Sequence, residues 1–293
     1  MPIARDCFIA VLALLLNLCL IMEIDETVLS LSPKLDLLII AYRPSQLEVE
    51  ALFACIQKLS PFIRYSIALN AAILEIESLL TPLFENALIV QRNSDNIGYG
   101  RAANNLFLAI NQPAPWVAVL NTDLYWQPGS FETMLRWLSA NADVVAAVPQ
   151  ILSPSGQVER LTKRDPSFIA LCSRRFFPEW LKPAWLRRLD ARFTMNDQNL
   201  HTIYEVPYLS GCCLFVRSNA YAAVGGFDPA YFLYLEDADL TRRLRPLGRC
   251  LHLPIAAVTH GWGRGSHRSL WLTLVNFWSA FIYFRRWGFR LWS

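Results

Sequence analysis

From Pro33 onward the apolar positions fall into short blocks that alternate between two periodicities. Leu35–Ala41 is an unbroken apolar run of strand length. Over Glu48–Leu59, Val49, Leu52, Phe53, Ile56 and Leu59 recur at helical spacing. Tyr65–Leu69 and Ala87–Gln91 read as two further strands, Gly100–Ile110 as a helix, and Trp116–Leu120 as a fourth, buried strand. Apolar strands separated by helices predict an α/β fold, a mainly parallel sheet with helices on both faces. Ligands of such sheets bind beyond the carboxyl ends of the strands, so chemistry is expected in the segments that follow each strand.

Three stretches depart from this pattern. Between Ser153 and Glu205 the chain is less regular and carries Pro154, Pro166, Pro178 and Pro183 among aromatic and Arg residues. This predicts loops and short helices within the same domain. Near the start, Cys7–Met22 is apolar except for Asn17, follows Arg5 and precedes Glu23, Asp25 and Glu26. Such a run falls short of the roughly 20 residues that cross a bilayer upright. No small-residue cleavage site follows it, which speaks against a cleaved signal peptide. A marginal or peripheral anchor, an apolar helix packed on the protein, and an upstream start before a domain that begins near Pro33 all remain open. At the other end, Leu270–Trp292 mixes Trp271, Phe277, Trp278, Phe281, Tyr283 and Phe284 with Arg285 and Arg286. That composition suits a membrane interface, and equally a terminal helix that covers the core.

Composition narrows the class. The 293 residues are 54% hydrophobic and 17% charged, rich for a soluble protein and poor for a polytopic membrane protein. A formal charge of +3 gives no electrostatic case for a nucleic-acid partner. Seven Cys occur without a CxxC pair, and Cys212 and Cys213 are adjacent. This odd, unpatterned set reads as reduced thiols and supports no zinc site.

Four segments carry candidate chemistry, each with a plainer alternative. Asn121-Thr122-Asp123 follows a buried strand, where a carboxylate can hold a divalent cation over a diphosphate or simply cap a turn. Tyr234-Leu235-Glu236-Asp237-Ala238-Asp239-Leu240 packs three acids before a helix marked by Leu240, Leu244 and Leu247 and stopped by Gly248. Clustered carboxylates raise one another's pKa, which suits a general base; helix N-capping is the alternative. Asn93-Ser94-Asp95-Asn96-Ile97-Gly98-Tyr99-Gly100-Arg101 joins a strand to a helix with two Gly that admit close backbone approach to a ligand. It is neither a Walker loop nor a dinucleotide fingerprint. Thr259-His260-Gly261-Trp262-Gly263-Arg264-Gly265-Ser266-His267 offers His, Arg and Ser on a flexible loop suited to phosphate or metal, or a structural His at a strand end.

Taken in order, NSDNIGYGRAANN, VLNTD, Pro166-Ser167, YLSGCCLFVRSNAYAAVGGFDPAYFLYLEDADLTRRL and the His260 loop resemble the family 2 glycosyltransferases, and among them the rhamnosyltransferase-like bacterial enzymes. The resemblance implies an A-type glycosyltransferase fold over 33–268, flanked by the apolar segment 1–32 and the aromatic, basic segment 269–293. It also implies an inverting transfer of sugar, dTDP-L-rhamnose being the best single donor, to a saccharide or polyprenyl-diphosphate-linked acceptor in cell-surface polysaccharide synthesis. The expected place is the cytoplasmic face of the cell membrane, and the expected cofactor Mg²⁺ or Mn²⁺. Asp237 matches the family's base, with Glu236 beside it. Asp123 and His260 match residues that hold the metal or diphosphate. Tyr42, Asn70, Asn96, Gly98, Arg101, Asn121, Asp123 and Arg264 fall on the donor side; Ser210, Gly211, Asp239 and Arg243 fall on the acceptor side.

The chain departs from the family at three strand ends. Ala41-Tyr42-Arg43 stands where Thr-Tyr-Asn is usual, Leu69-Asn70 where Asp-Asn is usual, and Asn121 replaces the first acid of the metal motif. These departures keep two competing functions in view. A nucleotidyltransferase would normally carry a Gly-rich loop after the first strand, and Tyr42-Arg43-Pro44-Ser45 has no Gly. An inactive membrane-associated scaffold is the other, opposed by the retained Asp123, Glu236, Asp237 and His260.

Overall fold

The computed structural model describes residues 32–261 and 270–292. Strands β1 (Leu35–Ala41), β2 (Ile63–Asn70), β3 (Val90–Asn93) and β4 (Trp116–Asn121) form a parallel half-sheet in the order β3-β2-β1-β4. Helices α1 (Gln46–Ile56), α2 (Leu74–Leu80) and α3 (Tyr99–Ala109) make its crossovers. All seven residues of β1 are buried, as a strand covered on both faces requires. The first predicted helix begins earlier than its apolar spacing implies, because Ser45 and Glu48 close a capping box: Glu48 N–H donates to Ser45 Oγ at 3.3 Å and Ser45 N–H to Glu48 Oε2 at 2.6 Å. The third strand lies slightly later than Ala87–Gln91, on Val90–Asn93.

Beyond β4 the sheet becomes mixed. It continues through β8 (Cys213–Arg217), antiparallel to both neighbours, to β6 (Val144–Leu152), β9 (Arg249–His260) and β5 (Leu124–Trp126). The short β7 (Tyr204–Glu205) pairs separately with β9. β9 runs parallel to β6, with a register jump where Pro149↔Leu253 is followed by Gln150↔Ala257. Pro149 cannot donate to the ladder and Pro254 lies in the extra loop of chain, so the jump is where two prolines interrupt pairing. Past it, β9 pairs antiparallel with β5 and sets His260 opposite Leu124.

Each face of the sheet has its own core. Leu35, Leu37 and Ile39 pack with Leu52 of α1 and with Phe131 and Leu135 of α4 (Ser130–Ala140). Leu38 and Ile40 point the other way, toward Leu106 of α3, Tyr221 of α7 (Ser218–Ala223) and Leu240 of α8 (Glu236–Leu244). The irregular middle contains α5 (Phe168–Phe176) and α6 (Ala184–Phe193), as its composition predicts. A third cluster joins Ala170 of α5 and Phe193 of α6 to Leu235, Ala238 and Tyr283, the last on α9 (Leu270–Trp287). α9 is therefore built into the body by one face. No helix among the described residues is long and apolar enough to cross a membrane. The Cys7–Met22 run lies outside the described residues.

Candidate active site

A cleft of about 600 Å³ opens at the carboxyl ends of β1, β2 and β4. Tyr42 and Arg43 leave β1 in the middle, between a floor of Asn70, Asn96 and Gly98 beyond β2 and Asn121–Asp123 at the end of β4, and Phe232, Leu233 and Trp271 complete the lining. Of the five described non-Gly residues with positive φ, Arg43 (49°), Ala71 (78°), Tyr234 (70°) and Leu235 (63°) sit at the ends of β1 and β2 and just before Glu236. Such backbone is costly for L-residues and persists where the surroundings demand it.

Asn70 shapes this floor. Its Nδ2 donates to Asn96 Oδ1 at 2.7 Å and to Gly98 O at 3.3 Å, and its Oδ1 accepts from Ile97 N–H at 3.0 Å. Both amide protons are thereby committed, and the residue is 3% exposed. Asn70 thus holds the Asn96–Gly98 loop rather than presenting a free amide to a ligand. Gly98 has φ +93°, and an added Cβ would stand 2.5 Å from Phe232 O. Only Gly fits there.

Asp123 and His260 meet. His260 Nε2 lies 3.2 Å from Asp123 Oδ2, their side chains 7% and 18% exposed, and Gly261 N–H donates to Asp123 O at 2.7 Å. Asp123 lines the cleft, whereas His260 is buried and not part of its lining. Asp123 Oδ1 is buried with no hydrogen-bond partner among the described residues. The described residues contain no group of three or more His, Cys, Asp and Glu that could hold a metal ion.

The acidic motif abuts the same place through the Gly211-Cys212 segment that enters β8. Gly211 N–H donates to Asp237 Oδ2 at 3.0 Å, Ala238 N–H donates to Oδ1 at 3.0 Å, and Tyr99 Oη donates to Gly211 O at 2.7 Å. On the other side of the segment, Asn121 N–H donates to Cys212 O at 3.2 Å. The Cys212 thiol is pushed up to about 11 by burial, with the charges of Asp123 and Asp237 adding to the shift. Gly211-Cys212 thus links the two acidic motifs: Gly211 hydrogen-bonds Asp237, and Cys212 hydrogen-bonds Asn121, two residues before Asp123. Glu236 is buried with Oε2 unpartnered among the described residues. Burial first, then the neighbouring Asp237 charge, raises its carboxyl to about 8, so it holds its proton at neutral pH. The Tyr208 phenol is raised well above the usual value by burial and by the Asp237 and Glu236 charges.

Other expected residues fall elsewhere. Asp239 is fully buried; its Oδ2 accepts from Arg243 Nε at 2.7 Å and its Oδ1 from Trp287 Nε1 at 2.8 Å. Arg243 also donates to Val224 O and Gly226 O, both at 2.7 Å. The pair ties α8 to α9 and to the Gly225 turn, and Asp239, walled off from solvent, cannot face an acceptor directly. Arg101 is exposed on α3 and donates to Pro229 O at 2.7 Å, away from the cleft walls. Ser210 Oγ contacts Cys212 Sγ at 3.5 Å. Arg264 lies outside the described residues.

Two cations not singled out in the sequence lie at or near the site. Arg43 is the cation on the cleft wall among the described residues. Half-buried Lys163 stacks its ammonium 4.4 Å from the Tyr208 ring centre; burial lowers its pKa while the Asp237 charge opposes this. Arg43 lay inside a strand end already singled out. Lys163, in the irregular middle, carried no local signal.

A parallel nucleotide-sized half-sheet, an acid after β4 and a second acidic motif on an antiparallel extension define an A-type glycosyltransferase fold. Residues 73–225 match the model of glycosyl transferase family 2, and the chain belongs to that family. An N-acetylglucosaminyl-diphospho-decaprenol L-rhamnosyltransferase, found in two strains of Mycobacterium tuberculosis, is 34% identical over 175 residues, covering 56% of this chain and 56% of the relative. This chain therefore matches little more than half the length of that relative. Among solved structures, GalNAc-T7 with UDP, GalNAc and Mn²⁺ superposes with a TM-score of 0.56 at 12% identity, over 79% of this chain and 44% of the other. The mannosyltransferase PcManGT from Pyrobaculum calidifontis, in complex with GDP-Man and Mn²⁺, gives 0.53 at 12% identity, over 80% and 59%.

Proposed function

We propose that this chain is an inverting, metal-dependent glycosyltransferase that moves L-rhamnose from dTDP-rhamnose to a polyprenyl-diphosphate-linked saccharide at the cytoplasmic membrane face, in cell-surface polysaccharide synthesis. The observation that carries the reading is the pairing of Asp123, which lines the cleft, with His260, and the link through Gly211-Cys212 from the Asn121–Asp123 turn to Asp237. The decaprenol-linked substrate in the relative's name supports the acceptor class.

The cleft is large enough for a nucleotide sugar, with Asn96 and Gly98 beneath it and Arg43 available to its phosphates. Asp123 and His260 suit a divalent cation: an O and an N donor 3.2 Å apart, one carboxylate oxygen without a partner among the described residues, and too few ligands among those residues to enclose the ion without the donor's phosphates. A bound Mg²⁺ or Mn²⁺ would neutralise the charge that develops on the leaving diphosphate. Asp237, held by two backbone N–H groups, takes the proton of the acceptor hydroxyl. The hydroxyl oxygen bonds to the anomeric carbon as the bond to diphosphate breaks on the opposite side, which inverts the configuration. Protonated Glu236 adds no second charge beside that base.

The membrane reading is supported by exposed Phe176, Phe177, Trp180, Leu181 and Trp185 on and between α5 and α6, close to exposed Arg174, Arg187 and Arg188. A transfer assay with a panel of nucleotide sugars and a prenyl-linked saccharide, before and after chelation, tests the whole proposal. Transfer from dTDP-rhamnose that stops on chelation and returns with Mn²⁺ or Mg²⁺ is expected. Undiminished transfer after thorough chelation removes the metal, and a different preferred donor removes rhamnose.

A further inference from the structure

α9 has two apolar faces with different fates. Val275, Ser279 and Tyr283 recur every four residues and are buried, and Ser279 Oγ donates to Leu233 O at 2.7 Å. The outer face carries Trp271, Leu274, Trp278 and Phe281, exposed by 65%, 63%, 61% and 55%. Their spacing of three, four and three residues makes one continuous stripe. With Phe232 and Phe277 they line a groove of about 700 Å³ whose wall side chains are all apolar. An apolar patch of this extent on a folded surface marks a binding site.

The groove leads into the active-site cleft. Phe232 and Trp271 belong to the walls of both, and Phe232 O accepts from Tyr99 N–H at 3.3 Å. Tyr99 in turn holds Gly211, against which Asp237 lies. A ligand in the groove therefore has one end beside the reacting groups. We infer that the groove is a subsite for the hydrocarbon chain of a polyprenyl-diphosphate acceptor, which threads along α9 and delivers the diphosphate-linked sugar to the cleft. This rests on the proposed prenyl-linked acceptor and adds where its lipid lies.

Continuity with the cleft selects a ligand that is polar at one end and apolar along its length. Among the described residues the groove lining offers no hydrogen-bonding side-chain group beyond the indole N–H of Trp271 and of Trp278 and no acceptor, so a saccharide or a peptide would lose most of its water contacts there without replacement. Trp271 to Phe281 spans ten residues, about 15 Å of helix at roughly 1.5 Å per residue. Only the units nearest the diphosphate fit, so affinity should rise over the first few isoprene units and then level off.

The test reads binding rather than turnover. A polyprenyl diphosphate with a diazirine in its first isoprene units is irradiated with the full chain in mixed micelles, and adducts are mapped by peptide mass spectrometry. Expected are adducts between Trp271 and Phe281 that unlabelled polyprenyl diphosphate displaces and excess phospholipid does not. They should fall roughly tenfold, the measure of ~1.4 kcal/mol in binding, in a Leu274→Ser, Phe281→Ser double variant. Both side chains are more than half exposed, so folding, checked by near-ultraviolet circular dichroism, should survive. Adducts elsewhere, or displacement by phospholipid alone, would show a surface that only meets the bilayer and would overturn the subsite. So would adducts that form only after residues 1–31 are removed, since the chain's own apolar run would then be the occupant. Missing adducts in a protein that still transfers to prenyl-linked acceptors sink the groove and spare the activity. Groove adducts in a protein that transfers nothing do the reverse.

Discussion

Asp237 and Glu236 are adjacent carboxyl groups with opposite surroundings. Asp237 is only half-buried and each of its oxygens accepts a backbone N–H; Glu236 is buried and holds a proton up to about pH 8. Asp237→Asn should lower turnover by roughly 10²–10⁴ while nucleotide binding, read by titration calorimetry, changes little. It should also lower stability by about 1–3 kcal/mol, because an amide cannot accept from both Gly211 and Ala238. Near wild-type turnover in this variant would end the base assignment. Glu236 acts on stability with a definite sign. Below its ordinary value near 4.5 the carboxyl is neutral in both folded and unfolded chains. As pH rises from there to about 8, the unfolded chain releases a proton that the native state retains, so stability declines across that window and levels off above it. Glu236→Gln should flatten this decline, by an amount on the order of a few kcal/mol at pH 8 and above. Urea titrations of both proteins at pH 5 and pH 8.5 measure the difference; parallel slopes would deny Glu236 its buried proton.

At the scale of elements, the cleft floor depends on a close approach of two loops. Gly98→Ala would press a Cβ onto Phe232 O, 2.5 Å away, at a φ of +93°. The expected loss is about 1–3 kcal/mol, together with weaker nucleotide binding because the Asn96–Gly98 loop must move. Thermal denaturation with and without nucleotide checks both. A variant as stable and as tight as the wild type would show that the loops give way freely. The bulge of β9 around Pro254 works over a longer range, since it re-aims the strand so that His260 meets Asp123.

For the whole molecule, the apolar surface divides into two parts. The groove beside the cleft has been assigned to a ligand; the aromatic and basic patch on α5 and α6 is assigned to the membrane. Trp180→Ser with Trp185→Ser should weaken sedimentation with anionic vesicles by roughly tenfold. Salt should weaken it further through the nearby Arg residues. Unchanged vesicle binding would place the anchor elsewhere. Substitution is the right probe here. Deleting Leu270–Trp292 would strip Val275, Ser279 and Tyr283 from the core and destabilise the body itself.

What local pattern could specify, the sequence by itself determined. β1, β2 and β4 are buried on both faces, so their apolar runs announce them, and the acids and amides just beyond those runs had to fall at one end of a parallel sheet. The ordered landmarks from Asn93 to Arg243 carried the family. Long-range pairing decided the rest. Asp239 and Arg243 look in sequence like reactive neighbours of Asp237, yet one helical turn apart they close on each other in the interior. Asn70 reads in sequence as a donor-side residue; the fold adds that its amide, at the cleft, also holds the neighbouring loop. Lys163 comes within range of the Asp237 charge through an isolated bridge that pairs it with Tyr208. Leu270–Trp292 suited either a membrane interface or a core cover. Packing makes one face of α9 a cover and leaves the other as a groove, a division set by which side meets the third core cluster. Periodicity reports that a face is apolar; only the tertiary fold decides what it meets.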